Sequence, residues 1–359
     1  MKIAFVSGLS DKKLSQKLSP LQVLDEVNEI LLFRRRPYYG EKIQWIRIHP
    51  IAQKYIILGD LFRFFMLLVK GRYCDVLIGC NQTFHGLMAY LCGRVWQKPV
   101  IQIVISEIDR VCKSSLLKHV LLSASACAVR GPISYKKLRN MGYSRNIFIL
   151  QNPYSIPPKN ANTEVSKRYY DFVAVGDFAK EKAYPWMMEV LGRVKERWPD
   201  LKVAIVGKGL YQKKLVSLLS SKNLNSHIEI LGWKDEKELE DIYINSKALL
   251  LSSKSEGLPM VVVEAMSYCL PIVATDVGDL PWIVRDGKDG RLLTYGDTQG
   301  MAEAILDLLN NQELFEMMGE SAYTRILAIS NQFDLNKIAQ KWSDLLKIVS
   351  KKGKNITCQ

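Results

Sequence analysis

No run of this 359-residue chain reaches the ~18 uninterrupted apolar residues that a membrane span requires. The N-terminus, MKIAFVSG, reads as a short strand rather than a charged region followed by an apolar signal core. The seven cysteines, at 74, 80, 92, 112, 127, 269 and 358, are scattered and form no C-x-x-C. That argues against a zinc site and for a reducing compartment. Cys74 and Cys80 lie in apolar surroundings and read as small core residues rather than reactive thiols. Internal repeats and low-complexity tracts are missing, and so is any D-x-D pair.

Acidic residues are scarce in the first half. Residues 1–150 hold 9 Asp and Glu against 23 Lys and Arg, whereas residues 151–359 hold 27 of each, so the whole net charge of +14 falls in the first half. Such an excess suits an anionic partner, whether a membrane surface, a lipid phosphate or nucleic acid, and equally a solvated basic surface. Nucleic acid fits least: the basic half shows no recognised binding motif, and its aromatics fall in apolar runs rather than on a basic stacking strip.

The chain is 48% hydrophobic and too long for one ordinary core, which points to two domains. In the second half, strand-like runs YYDFVAVGD (169–177), LKVAIVGKG (201–209), IEILGW (228–233), ALLLSS (248–253) and PIVATDVG (271–278) alternate with helical patterns at 186–199, 212–222, 239–246 and 301–311. That alternation predicts a parallel sheet covered on both faces. The first half repeats it less clearly, with strands expected in MKIAFVSG, KIQWIRI (42–48), CDVLIGC (74–80) and KPVIQIVI (98–105). Ser19-Pro20-Leu21-Gln22 has the form of an N-cap, a helix-start proline and a capping-box glutamine, opening a helix that runs into Arg34, Arg35 and Arg36. Ile56-Ile57-Leu58 and LFRFFMLLVKGR (61–72) read as a strongly apolar helix whose apolar residues pack as core before the next strand, while Arg63, Lys70 and Arg72 add charge suited to docking on an anionic membrane. NPYSIPPKNANTEVSKR (152–168), rich in Pro and Asn, reads as a linker. The expected division is 1–152 for a first, acceptor-binding domain, 153–168 for a linker, 169–335 for a second domain, and 336–359 for a helix and tail packing back on the first.

SEGLPMVVVEAM (255–266) holds Glu256 and Glu264 with seven residues between them. Its valines favour a strand, but Gly257 and Pro259 precede them and strand-like runs flank them, so 259–269 reads as a buried helix. The amides of Gly257, Leu258 and the first helical turn, which Pro259 opens without an N–H of its own, offer an anion site. Glycine at 257 lets the backbone approach a ligand closely. Glu264, about one turn further in, can accept hydrogen bonds from vicinal hydroxyls such as those of a ribose. From spacing alone a second reading stays open: one glutamate favouring the helix dipole and one paired to a distant Lys or Arg.

The surroundings of that stretch add to it. VGDFAKEK (175–182), LKVAIVGKG, ILGW, the run from Leu239 to Leu293 and NQFDLNKIAQKW (331–342) resemble family 4 retaining glycosyltransferases. The most specific part is S-x-x-E-G-x-P-x-x-x-x-E-A-M followed by P-I-V-A-T-D-V-G, from Ser253 to Gly278. The resemblance implies an α/β chain of GT-B fold: two Rossmann-like domains with parallel sheets facing a central cleft. It implies Glu256 near the reacting carbon of the transferred sugar, Glu264 on the ribose, and Lys182 on the diphosphate after Gly176. Lys180 would supply charge missing at Asp177, where the family has an arginine, and Trp233 of ILGW joins the donor-binding set. Asp279 and Trp282 stand where a Gly and a Glu are common in the family. In the first half the family's glycine pair is reduced to Gly8, and Ile105-Ser106-Glu107 replaces the usual histidine. His85, at a strand end, is the alternative catalytic histidine or else a helix-start packing residue. Asn152 matches a structural asparagine of the family.

These features predict a retaining transferase that moves sugar from a nucleoside-diphosphate sugar to a hydroxyl acceptor, lipid-linked or on a glycan precursor. No metal and no cofactor beyond the donor are expected, because cationic side chains and helix amides can neutralise a departing diphosphate. The expected location is the cytoplasmic face of a membrane, held there by an anionic surface. Two alternatives stand beside it: a non-catalytic nucleotide-sugar or glycan binder, kept open by the missing arginine and histidine, and a UDP-sugar epimerase, which shares the two-domain architecture although the Glu256–Glu264 segment fits transferases better. A hydride-transfer enzyme does not fit, since Gln212 stands where a third G-x-G-x-x-G glycine belongs after VGKG (206–209).

Overall fold

A computed structural model describes residues 1–50, 54–81, 84–105, 108–159 and 167–354. Ser106, Glu107, Cys358 and the linker positions 160–166 lie outside the described residues. The chain divides into two compact units: Met1–Tyr154 together with Asn331–Gln359, and Ser155–Ser330.

The first unit is built on seven strands: β1 (Lys2–Val6), β2 (Glu29–Phe33), β3 (Ile43–Trp45), β4 (Val76–Cys80), β5 (Val100–Ile103), β6 (Ala126–Val129) and β7 (Asn146–Ile149). They form one parallel sheet in the order β3-β2-β1-β4-β5-β6-β7. The second unit has β8 (Tyr170–Val175), β9 (Val203–Val206), β10 (Ile228–Gly232), β11 (Ser246–Leu251), β12 (Ile272–Thr275) and β13 (Gly290–Leu293). These too are parallel, in the order β10-β9-β8-β11-β12-β13. Continuous apolar runs such as IAFV, VLI and ALLL suit strands covered on both faces, and all of them are buried. In each sheet the chain winds outward from the first strand and then returns to its other side. The order therefore reverses between β1 and β4 in one unit and between β8 and β11 in the other. Loops leaving the carboxyl ends of such a pair diverge and leave room for a ligand.

The closing helix, Leu335–Lys354, places Ile338, Trp342, Leu345 and Val349 at helical spacing in one cluster with Ile3, Phe5, Leu14 and Leu18. The end of the chain is thereby part of the first unit's core.

Two expectations for the first unit are corrected. Ser19–Gln22 does not open a helix; it closes one, Asp11–Gln22, which carries Pro20 inside it. The buried series Leu14, Leu18 and Leu21 outweighs the capping signature by giving that earlier segment its apolar face. The residues expected to continue as helix form β2 instead, and Arg34 to Arg36 follow a strand rather than ending a helix. Strands β6, β7 and β13 are further elements that the sequence reading did not pick out. The helix expected over 61–72 exists as Ile56–Gly71, and it packs as core along one side only, with Leu67 in the core and Phe64, Met66 and Leu68 against it. Gly59, Arg63, Leu67 and Gly71 turn inward, while Ile57, Leu58, Leu61, Phe65 and Val69 are exposed.

Candidate functional site

The switch point of the second sheet brings two sequence-predicted residues into contact. After β8 the chain passes Gly176 and forms a short 3₁₀ turn, Lys180–Lys182, ending at Ala183 in the left-handed region (φ 50°). From that turn the Lys182 ammonium reaches Oε1 of Glu256, in the loop after β11, at 2.6 Å. The hydroxyl of Ser253 donates to the same oxygen at 2.7 Å. Both members of the ion pair are mostly but not fully covered, with 18% and 16% of their side chains exposed. Gly176 makes room for the lysine, since a Cβ there would lie 2.9 Å from Lys182 Cε. The two loops are stapled by Ser252 Oγ donating to the Lys182 carbonyl at 2.7 Å and by the Lys254 amide donating to the Glu181 carbonyl at 2.7 Å.

The helix Met260–Ser267 starts directly behind this pair, with Pro259 at its N-cap. Gly257 and Leu258 are buried, yet their amides make no hydrogen bond among the described residues. Ser255 Oγ is buried without a partner as well. Buried donors without acceptors are costly, and an anionic ligand would satisfy them. The loop is held from behind by Gly278 (φ +62°), whose Cβ, if present, would lie 2.2 Å from the Glu256 carbonyl oxygen. Only glycine fits both that conformation and that approach. The buried Asp279 follows, its amide donating to the Gly257 carbonyl at 2.8 Å.

Glu264 lies in the same helix, 9% exposed, and accepts a 3.0 Å hydrogen bond from the Tyr243 hydroxyl. Its carboxylate is thus supported by a neutral donor. Tyr243 in turn stacks on Tyr268, with ring centroids 5.6 Å apart. Lys180 and Asp177 are exposed on the turn after β8. Trp233, just after β10, is 57% exposed, with Lys208 Nζ 4.7 Å from its ring centroid. The carbonyl of Trp282 accepts from Arg325 at 2.7 Å. Ser253, Ser255 and Gly278 are parts of the site to which sequence reasoning gave no role. The serine three places before Glu256 was the available signal for the first of them.

His85 belongs to the first unit. It sits in the first turn of the helix Phe84–Val95, at the carboxyl end of β4, and its ring lies against Gly8 in the loop after β1. Burial, reinforced by the Arg63 charge and opposed by Asp60, pushes its pKa down to about 4, so the imidazole is neutral near pH 7. Asn152 Nδ2 donates to Gln16 Oε1 at 2.9 Å, a contact that ties the end of β7 to the helix Asp11–Gln22. Cys74 and Cys80 are buried, and burial raises their thiols to about 12 and about 11, which makes them poor nucleophiles.

The fold is GT-B: two parallel Rossmann-like sheets matching those of known glycosyltransferase structures. The chain is similar to Anabaena HepE, solved with UDP-glucose, at TM-score 0.75 and 17% identity, covering 97% of this chain and 99% of that one. It is similar to the sucrose-phosphate synthase of Thermosynechococcus elongatus at TM-score 0.79 and 16% identity, covering 97% and 98%. At the level of sequence family, residues 156–325 match the model described as glycosyl transferases group 1. An uncharacterized glycosyltransferase of Methanocaldococcus jannaschii is 35% identical over 153 residues, 42% of each protein. The N-acetyl-alpha-D-glucosaminyl L-malate synthase of Bacillus anthracis is 27% identical over 51% of this chain and 46% of that one. The chain spans about half the length of these curated relatives.

Proposed function

We propose that the chain is a retaining glycosyltransferase of family 4 that uses a nucleoside-diphosphate sugar. The observation that carries this reading is the Lys182–Glu256 pair at the β8/β11 switch point, beside the hydrogen-bond-free amides of Gly257 and Leu258. In this reading the diphosphate takes the lysine and the amides as its partners. Charge that develops on the leaving phosphate is then neutralised by groups already in place, without a metal ion. Lys180 adds a second cation from the same turn. Glu256, released from Lys182, faces the transferred sugar. Glu264 and Tyr243 together receive the ribose hydroxyls, and Trp233 offers its ring to the base. The leaving phosphate helps take the acceptor's proton on the same face of the sugar, which preserves the anomeric configuration. Solved GT-B relatives whose names include UDP or UDP-glucose support the choice of donor.

The acceptor in this reading is lipid-linked or a glycan precursor at a cytoplasmic membrane face. The exposed apolar side of the helix Ile56–Gly71 supports that part, together with the excess of basic residues in the first half. Among the described residues no helix is long and apolar enough to cross a membrane, so the attachment is peripheral in this reading.

The test is a thermal-shift screen of nucleotide sugars, followed by measurement of nucleoside diphosphate released with and without acceptor, in the presence of a chelator. Release that survives chelation supports the reading. Binding without any release would favour a non-catalytic binder, and interconversion of the sugar without release would favour an epimerase.

A further inference from the structure

The first sheet has a switch point of its own, and a cavity of about 800 Å³ opens at it. The loop after β1 contributes Gly8, the residues directly after β2 contribute Arg34, Arg35 and Arg36, and the helix that follows β4 contributes His85. From the helix Ile56–Gly71 come Asp60 and Arg63. Among the described residues the charge around this space is lopsided: four guanidinium groups line it against one carboxylate, and the imidazole beside them is neutral.

Burying arginine is expensive unless its charge is answered. Arg34 and Arg63 are each 3% exposed. Asp11 answers Arg34 at 2.8 Å, and Asp60 answers Arg63 at 2.6 Å. Arg63 Nε and His85 Nδ1 are nonetheless buried without a hydrogen-bond partner. Burial pushes the Arg63 pKa below its ordinary value; Asp60 opposes that shift, and repulsion by the charge of Arg35 adds to it. A ligand carrying two negative charges would reverse that repulsion, and guanidinium forks match the oxygen geometry of a phosphate.

We propose that this cavity is a binding site for a phosphate group carried by the acceptor, with Arg35 and Arg36 as its direct ligands and Arg63 as the buried charge behind them. The inference rests on the transferase reading for the word acceptor but not for the anion site itself. The volume exceeds what one phosphate fills, so part of the group bearing it is held as well. Two sources share this recognition chemistry: a water-soluble sugar or polyol phosphate and a lipid headgroup.

The chain has four histidines, so His85 can be followed by imidazole-labelled NMR in the intact protein. Glycerol 1-phosphate is the soluble probe and phosphatidic acid in vesicles is the lipid one. Binding of either should move the His85 signals and raise its pKa from about 4. Arg35→Ala with Arg36→Ala should weaken that binding about tenfold or more, since charge-assisted hydrogen bonds are lost. Binding of UDP should be unaltered. Arg36→Glu, at an exposed position, should give the same result without disturbing the core. Arginine-dependent binding of the soluble probe alone, or of the lipid alone, supports the site and identifies its source. Binding insensitive to both substitutions, or abolished by Lys182→Ala, overturns it. Phosphate binding that persists in a protein unable to turn over any nucleotide sugar would keep this site and remove the transferase reading.

Discussion

The ammonium of Lys182 lies 2.6 Å from Oε1 of Glu256, which joins two residues 74 positions apart in the chain. In the proposed reading, where Lys182 serves a diphosphate and Glu256 the sugar, the two neutralise each other when no donor is bound. A diphosphate would then have to displace the carboxylate, with Glu256 competing for Lys182. Glu256→Gln should then bind nucleoside diphosphate at least as tightly as the wild type while lowering turnover by about 100-fold. Calorimetry and initial rates on the same preparation test both halves. Wild-type turnover would remove Glu256 from the reaction.

Lys182→Ala should weaken binding of nucleoside diphosphate by about 10- to 100-fold while leaving free nucleoside nearly unaffected, because a charge-assisted contact to phosphate is lost. Ser253 still donates to Glu256 in this variant, so the carboxylate is not left bare. Equal losses for the two ligands in calorimetry would mean that the lysine only supports the loop. Asp177→Arg, at an exposed position of the same turn, should strengthen diphosphate binding.

Gly278 holds the loop of Glu256 through a left-handed conformation and a close backbone approach. Gly278→Ala should lower stability by about 2–4 kcal/mol and weaken donor binding along with it, because the Cβ would collide with the Glu256 carbonyl. Denaturant unfolding with and without UDP measures both effects. An unchanged midpoint would show that the loop yields to the methyl group without cost.

The second unit was legible because its strands are unbroken apolar runs and its helices carry apolar faces, so each short-range signal agreed with the fold. The Lys182–Glu256 contact was not legible, since only the parallel pairing of β8 with β11 brings residues so distant in sequence together. In the first unit β2 was hidden by its position between a capping-like stretch and three arginines. The span of the helix Ile56–Gly71 could be read from sequence, but its orientation could not. With apolar residues on nearly every side, periodicity does not select a buried face. The charged Arg63 turned inward beside Leu67, fixed by Asp60 and the Ser7 carbonyl. The cavity at the β1/β4 switch point needed the tertiary fold, which collects residues 8–10, 34–36, 60, 63 and 84–85.

His85 makes stability depend on pH in a defined window. Its folded pKa is about 4, below the ordinary value of 6.5, because the buried ring resists protonation. Between these values the unfolded chain takes up a proton that the folded chain refuses. Stability therefore rises with pH from about 4 to 6.5 and is lost on acidification through that range, by on the order of 3 kcal/mol at most. His85→Leu should be less sensitive than the wild type across that window. Urea midpoints taken at several pH values compare the slopes, and parallel profiles would mean that His85 titrates normally.

The outward side of the helix Ile56–Gly71 bears on where the protein works. Ile57, Leu61 and Phe65 are 74%, 60% and 60% exposed and recur every fourth residue, so they form one stripe, continued by Val69. Lys54 and Arg72 stand exposed just beyond its two ends. An apolar stripe flanked by cations is suited to the interface of an anionic bilayer, where each basic residue contributes on the order of 1 kcal/mol and the apolar side chains leave water. Sedimentation should show binding to vesicles containing anionic lipid, weaker binding to neutral ones, and partial release by salt as the charges are screened. Leu61→Glu with Phe65→Glu should reduce binding at both salt concentrations without loss of fold, because both positions are exposed. Equal binding to neutral and anionic vesicles, or none to either, would sink the membrane assignment and favour an acceptor that diffuses in water.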